Sequence, residues 1–161
     1  MQKFLIEFTT YNQLANARVG AVLQKLTPEQ WNLDQKSSYN TIRKTAEHIA
    51  DCEYNWLKRI RGNSTWEFKA KTYEASNELM EFWLHQSQAF IKLAEQSDDK
   101  KLTEIMLYKN IKGDSFSNEL YKTIANVMNH STYHRGQLIT MLRGAGVTEI
   151  PNTDLIAFYR I

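Results

Sequence analysis

The chain has 161 residues, 42% of them hydrophobic and 24% charged, which is the composition of one ordinary globular domain and excludes a disordered segment. Lys and Arg outnumber Asp and Glu by 20 to 18 with no long run of like charge, so the concentrated basic face of a duplex-binding protein is absent. No apolar run reaches the roughly 18 residues a membrane helix needs, Glu7 breaks the N-terminal apolar stretch too early for a signal peptide, and the single Cys52 has no internal disulfide partner. The expectation is one soluble domain over residues 1–161, in the reducing cytoplasm, with no nucleic-acid or membrane partner.

Only six glycines and two prolines punctuate the chain, so its elements are few and long, which points to helices. The first apolar stripe, Phe4, Phe8, Tyr11, Ala15, Val19, Val22 and Leu26, has the three-and-four spacing of an amphipathic helix, with polar Asn12 falling inside it. Thr27-Pro28-Glu29-Gln30 then reads as a capping box opening a short turn that carries Trp31 and Leu33, and Asp34 to Asn40 reads as a polar loop. A second stripe runs Ile42, Thr45, Ile49, Cys52, Trp56, Ile60 and ends near Gly62; Asn63 to Tyr73 has no clean period and reads as loop.

Ser76 is placed to cap a third helix with Leu79, Phe82, Trp83, Gln86, Phe90 and Leu93 on one face. Between Leu102 and Phe116 the texture changes to that of a small hairpin or an irregular crossover. The last long helix carries Leu120, Ile124, Val127, His134, Leu138, Met141, Leu142 and Ala145 and stops at Gly144 to Gly146; Asn152 to Leu155 then caps a final helical turn. Four long amphipathic helices in one domain predict an all-α four-helix bundle.

The chemistry concentrates on His130 and His134. A spacing of four on a helix puts both imidazoles on one side, one turn apart, close enough to share a metal ion. Two neutral imidazoles facing an interior need partners, which a metal or hydrogen bonds from a neighbouring helix would equally supply. Ser131 stands where a zincin protease has its general-base Glu, which argues against that class although the ligand spacing is there. His48, at the edge of the second stripe, is a candidate third ligand or a core-edge histidine with a polar partner; Cys52, one turn on, is a packing residue or an added ligand. His85 falls on the surface side of its helix. Glu47 and Asp51 project toward solvent, leaving no carboxylate clearly placed as a base. Arg135 points away from the stripe, toward an ion pair or dimer contact. Asn12 and Gln137 are candidates to hydrogen-bond a ligand imidazole or substrate, or to bond between helices.

Two segments carry a family resemblance. Thr45-Ala46-Glu47-His48-Ile49-Ala50-Asp51-Cys52-Glu53 resembles the "HLxDxE"-type segment on the second helix of the DinB superfamily. Val127 to Leu138, containing His130-Ser131-Thr132-Tyr133-His134-Arg135-Gly136-Gln137, resembles its "HxxxHRGQ" signature. Tyr11-Asn12 fits its first helix, and Leu142 to Gly146 with Asp154-Leu155 fits its ending, so the resemblance spans the chain. It implies a four-helix bundle and often a homodimer. It also implies a divalent metal, zinc or nickel, on three histidines, here His48, His130 and His134. Relatives include metal-dependent S-transferases that use low-molecular-weight thiols such as bacillithiol, glutathione or mycothiol. The function expected on this basis is thiol transfer to a small-molecule substrate. The alternatives are a hydrolase using metal-bound water and a non-catalytic metal-binding protein.

Overall fold

Thr27 starts the first turn beyond the N-terminal helix. Its hydroxyl accepts the Gln30 N–H at 3.3 Å, Gln30 Oε1 accepts the Thr27 N–H at 3.1 Å, and Pro28 takes the first helical position. The computed structural model describes residues 1–160. Its elements are α1 (Gln2–Leu23), α2 (Pro28–Asn32), α3 (Ile42–Ile60), a 3₁₀ turn (Ala70–Thr72), α4 (Ser76–Glu95), α5 (Asp99–Leu102), β1 (Ile105–Lys109), β2 (Ser115–Glu119), α6 (Leu120–Gly144) and α7 (Leu155–Phe158). The chain is mostly helical, and α1, α3, α4 and α6 pack on one another through their buried faces.

The all-α expectation is corrected by an antiparallel hairpin in which Ile105 pairs with Glu119 and Lys109 with Ser115. Of the two alternatives for this stretch, the hairpin is the one formed. Its five-residue loop turns at Gly113, whose φ of +90° few other residues adopt, and Asn110 Oδ1 accepts the N–H groups of Lys112 and Asp114. Tyr108 packs edge-on against Trp56 of α3 with ring centroids 5.0 Å apart, which fixes the hairpin to the helices.

The interior has two apolar clusters. One contains Val19, Ile49, Trp83 and Leu138; the other contains Leu5, Leu57, Phe90 and Val127. Along each long helix a polar residue separates them: Asn12 and Asn16 on α1, Glu53 on α3, Ser87 on α4, Ser131 and Arg135 on α6, all buried. Such a layer is tolerated only because its members bond one another. It is also the level at which the histidines sit.

Three details of the local reading change. Phe4 is 52% exposed while Leu5 and Thr9 are buried. The buried arc of α1 is rotated from its apolar stripe because α1 packs against both α4 and α6, and the Thr9 hydroxyl is satisfied within the helix by the Leu5 carbonyl at 2.8 Å. Helix α4 begins at Ser76 itself, with Ala75 at the cap and no side-chain bond. The segment read as loop over Asn63 to Tyr73 contains the 3₁₀ turn, which lies across α3.

Candidate metal centre

Thr41 accepts the Lys44 N–H at 3.1 Å and so fixes the start of α3, from which His48 follows two turns later. Helix α6 packs against α3 and presents His130 and His134 to it. The three rings meet: centroid separations are 4.9 Å for His48 and His130, 4.5 Å for His48 and His134, and 4.4 Å for His130 and His134. Tyr39, from the polar loop, stacks on His48 with centroids 4.1 Å apart.

The donor atoms crowd around one nitrogen. His48 Nε2 lies 3.0 Å from His130 Nε2, 3.1 Å from the Tyr39 hydroxyl and 3.6 Å from Cys52 Sγ, which is itself 3.7 Å from His130 Nε2. A neutral imidazole nitrogen offers one proton or one lone pair, so it cannot satisfy all of these partners. Two nitrogens 3.0 Å apart match the spacing of two ligands each about 2.0–2.1 Å from a common zinc ion at an angle near 90°. The donor atoms of His48, Cys52 and His130 all fall within 4.8 Å of one another. By geometry and by chemistry the residues fit a divalent ion with imidazole and thiolate preferences.

Burial, reinforced by the neighbouring imidazoles, pulls His48 down to about 3 and His130 to about 4, and burial lowers His134 as well. All three are therefore neutral near pH 7, the form that binds metal. His134 Nδ1 donates to Gln137 Oε1 at 2.7 Å, which fixes the tautomer and leaves Nε2 bare. Gln137 in turn donates to Ser38 at 3.4 Å. His130 Nδ1 is buried without a partner. Burial, with Asp51 and Glu53 alongside, pushes the Cys52 thiol up to about 12, so without an ion it stays protonated.

Of the three histidines, His48 lines a cavity of about 270 Å³ whose other walls are Tyr39, Lys44, Glu47, Asp51, Phe68 and Lys71. The expectation that Asp51 faces solvent is corrected: it is 4% exposed, because the 3₁₀ turn lies over it and the Ala70 N–H donates to Oδ1 at 2.7 Å. Burial raises its carboxyl to about 6. Glu47, half-buried, pairs with Arg43 at 2.8 Å. His85 is exposed, as read.

Asn12 does not reach the histidines. It bonds Glu53 at 2.9 Å and Arg135 in the buried polar layer. Arg135 itself is 1% exposed rather than outward, since Val127, Ser131 and Arg135 follow one another at four-residue steps on a face closed by α1 and α3. The sequence reading missed this layer, although Asn12 and Asn16 on one helix, Glu53 on another and Arg135 on a third are complementary groups at matching depth. It also missed Tyr39, for which a lone aromatic in a polar loop was the available signal.

The DinB family profile matches residues 1–160. Protein DinB of Bacillus subtilis (strain 168) is 24% identical over 159 residues, covering 94% of this chain and 91% of the relative. Two solved structures are similar. A DinB-like protein from Bacillus cereus ATCC 10987 has a TM-score of 0.63 at 22% identity, over 86% of this chain and 89% of its own. A DinB-like protein, YjoA, from Bacillus subtilis has a TM-score of 0.69 at 15% identity, over 91% and 97%. At these identities the structural likeness speaks to the fold, and the match of the family profile from end to end, with both histidine segments inside it, places this chain in the DinB family.

Proposed function

We propose that the chain is a metal-dependent S-transferase that uses a low-molecular-weight thiol, with zinc or nickel held by His48, His130 and His134. The observation that carries this reading is that His48 belongs both to the histidine cluster and to the wall of the 270 Å³ cavity, so a small molecule entering there meets the ligand set. A bound divalent ion would hold a thiol in its deprotonated, nucleophilic form near neutral pH. The chain's own part is to keep the imidazoles neutral by burial, to fix the His134 tautomer through Gln137, and to clamp the His48 ring under Tyr39. Phe68 and the two lysines of the cavity wall then receive the electrophile. The same proposal includes a homodimer in the cytoplasm; exposed apolar side chains such as Leu107 and Ile111, 77% and 70% accessible, support the dimer, and light scattering tests it.

The test is metal analysis of untagged protein, followed by thiol titration of a cobalt-substituted sample watched by absorbance. A thiolate-to-cobalt band that grows with added thiol supports transfer. The Cys52→Ser variant is titrated in parallel, so that a band from the protein's own sulfur is told apart. No stoichiometric metal in any preparation overturns the reading.

A specific observation favours a second reading, hydrolysis by metal-bound water. Asp51 is a buried carboxyl on the same cavity wall, raised to about 6, which suits a general base near neutral pH. Bound metal without response to any thiol, and ester hydrolysis lost in Asp51→Asn at unchanged metal content, would select it.

A further inference from the structure

Cys52 is the single cysteine of the chain, and its surroundings are not those of a packing residue. It is buried yet belongs to neither apolar cluster. Among the described residues the hydrogen-bond partners of Sγ are ring nitrogens alone: His48 Nε2 at 3.6 Å, His130 Nε2 at 3.7 Å and His48 Nδ1 at 3.9 Å. A thiol carries one proton and satisfies one of these nitrogens at most. The separations suit a shared ion better. On a tetrahedral ion, a thiolate at about 2.3 Å and an imidazole at about 2.0–2.1 Å stand about 3.6 Å apart. Both distances from Sγ to an Nε2 match that spacing.

Cys52 and His134 flank the His48–His130 pair from opposite ends. Helices α3 and α6 run antiparallel where they meet, since Thr45 reaches Met141 at 3.5 Å while Cys52 reaches His130. The four-residue steps from His48 to Cys52 and from His130 to His134 therefore lead opposite ways along the seam. Among the described residues, His48, Cys52 and His130 have donor atoms that all fall within 4.8 Å of one another, and His134 is outside that group. Tyr39 and the 270 Å³ cavity meet His48, whereas Cys52 is off the cavity wall.

We propose that Cys52 is a further ligand of the ion, binding as a thiolate beside His48 and His130, a role that rests on the metal assigned to the histidines and not on thiol transfer. The bond forms as the S–H proton leaves to solvent. Cys52 then anchors the ion from inside the bundle and leaves the cavity side to an external ligand. Its sulfur adds a soft donor to the imidazoles, which favours zinc over hard ions such as magnesium and manganese.

Cobalt tests this in the whole chain before any external thiol is added. Protein purified with a phosphine reductant is loaded with cobalt(II), and its absorbance is recorded in the near ultraviolet, where thiolate-to-cobalt charge transfer lies. Because the chain has one cysteine, a protein band has one source. The expected result is a band in wild type that is lost in Cys52→Ser, with cobalt still held by the histidines. Zinc titration calorimetry in buffers of different ionisation enthalpy counts the proton, and wild type should release about one more per zinc than Cys52→Ser. If Cys52→Ser does not fold, the wild-type spectrum decides alone. Stoichiometric cobalt without a band in wild type, or equal spectra in the two proteins, overturns the proposal and leaves the three histidines as the ligand set. Absence of bound metal in both proteins overturns the metal assignment as well. 2-Mercaptoethanol is then titrated into cobalt-loaded Cys52→Ser, where a new band supports thiol transfer independently of Cys52.

Discussion

Glu53 and Arg135 are joined without touching. The amides of Asn12 and Asn16 stand between them, each donating through Nδ2 to Glu53 Oε1, at 2.9 and 3.0 Å, and each accepting from Arg135 Nη1 through Oδ1. Ser131 and Ser87 complete the shell by donating to Glu53 at 3.0 and 2.7 Å. Because Glu53 follows Cys52, Ser131 follows His130 and Arg135 follows His134, the network fixes α1, α3, α4 and α6 in the register that brings the histidines together.

Glu53→Gln keeps the shape but leaves the Arg135 cation buried without a counter-charge, and the expected destabilisation is about 3 kcal/mol or more. In urea denaturation of metal-free protein, the double change with Arg135→Gln should cost less than the sum of the single changes, with coupling of about 1–3 kcal/mol. Strict additivity would show that the amides insulate the two charges.

Much of the helical framework was legible because α3 and α6 bury one face each and their apolar periodicity states it: Ile42, Ile49, Val127 and Leu138 fall where they were expected. The histidine cluster was legible for a related reason, since a four-residue spacing fixes two rings on one side of a helix whatever surrounds it. What was not legible depended on neighbours distant in sequence. Asp51 lies on the polar flank of α3 and is buried only because the 3₁₀ turn crosses it. Arg135 looked exposed because an arginine off an apolar stripe normally is; here two asparagines on α1 receive it. The hairpin lies in a stretch where no single periodicity dominates, and its Tyr108 ring packs on Trp56, a residue distant in sequence.

The pH dependence of stability separates two groups of opposite sign. His48 and His130 titrate near 3 and 4 in the folded chain, below the ordinary histidine value of 6.5, so between those values the unfolded chain binds more protons. Their contribution is fully favourable above pH 6.5 and is lost as pH falls toward 3. Asp51 titrates near 6 when folded against 3.8 ordinarily, so the folded chain holds its proton longer, and its contribution weakens as pH rises from about 4 to 6. Chelated protein should therefore gain urea resistance from pH 4 to 7, and the gain should be steeper in Asp51→Asn. An equal slope in the two proteins would show that Asp51 ionises normally.

Cys52 is 6% exposed and its thiol is raised to about 12 by burial and the flanking carboxylates. The thiolate is the species that alkylates, so at pH 8 the metal-free native protein should react with iodoacetamide far more slowly than the same protein in denaturant. Mass spectrometry over a time course measures both rates. Comparable rates would mean that α3 opens readily around residue 52.

Gln137 offers the sharpest separation of metal affinity from fold. It is half-buried, outside both apolar clusters, and its bond to His134 Nδ1 is the hydrogen bond that fixes this imidazole with Nε2 free. Partners of this kind typically contribute 10–100-fold to metal affinity by orienting the ligand ring. Gln137→Ala should weaken zinc binding by about that factor in a chelator competition, while thermal unfolding of the metal-free protein stays within about 0.5 kcal/mol of wild type, as for a surface substitution. Gln137→Glu keeps an acceptor at the same atom and should recover most of the affinity. Unchanged affinity in Gln137→Ala would remove His134 from the ligand set and leave His48, Cys52 and His130, whose donor atoms already lie within 4.8 Å of one another, as the group that holds the ion.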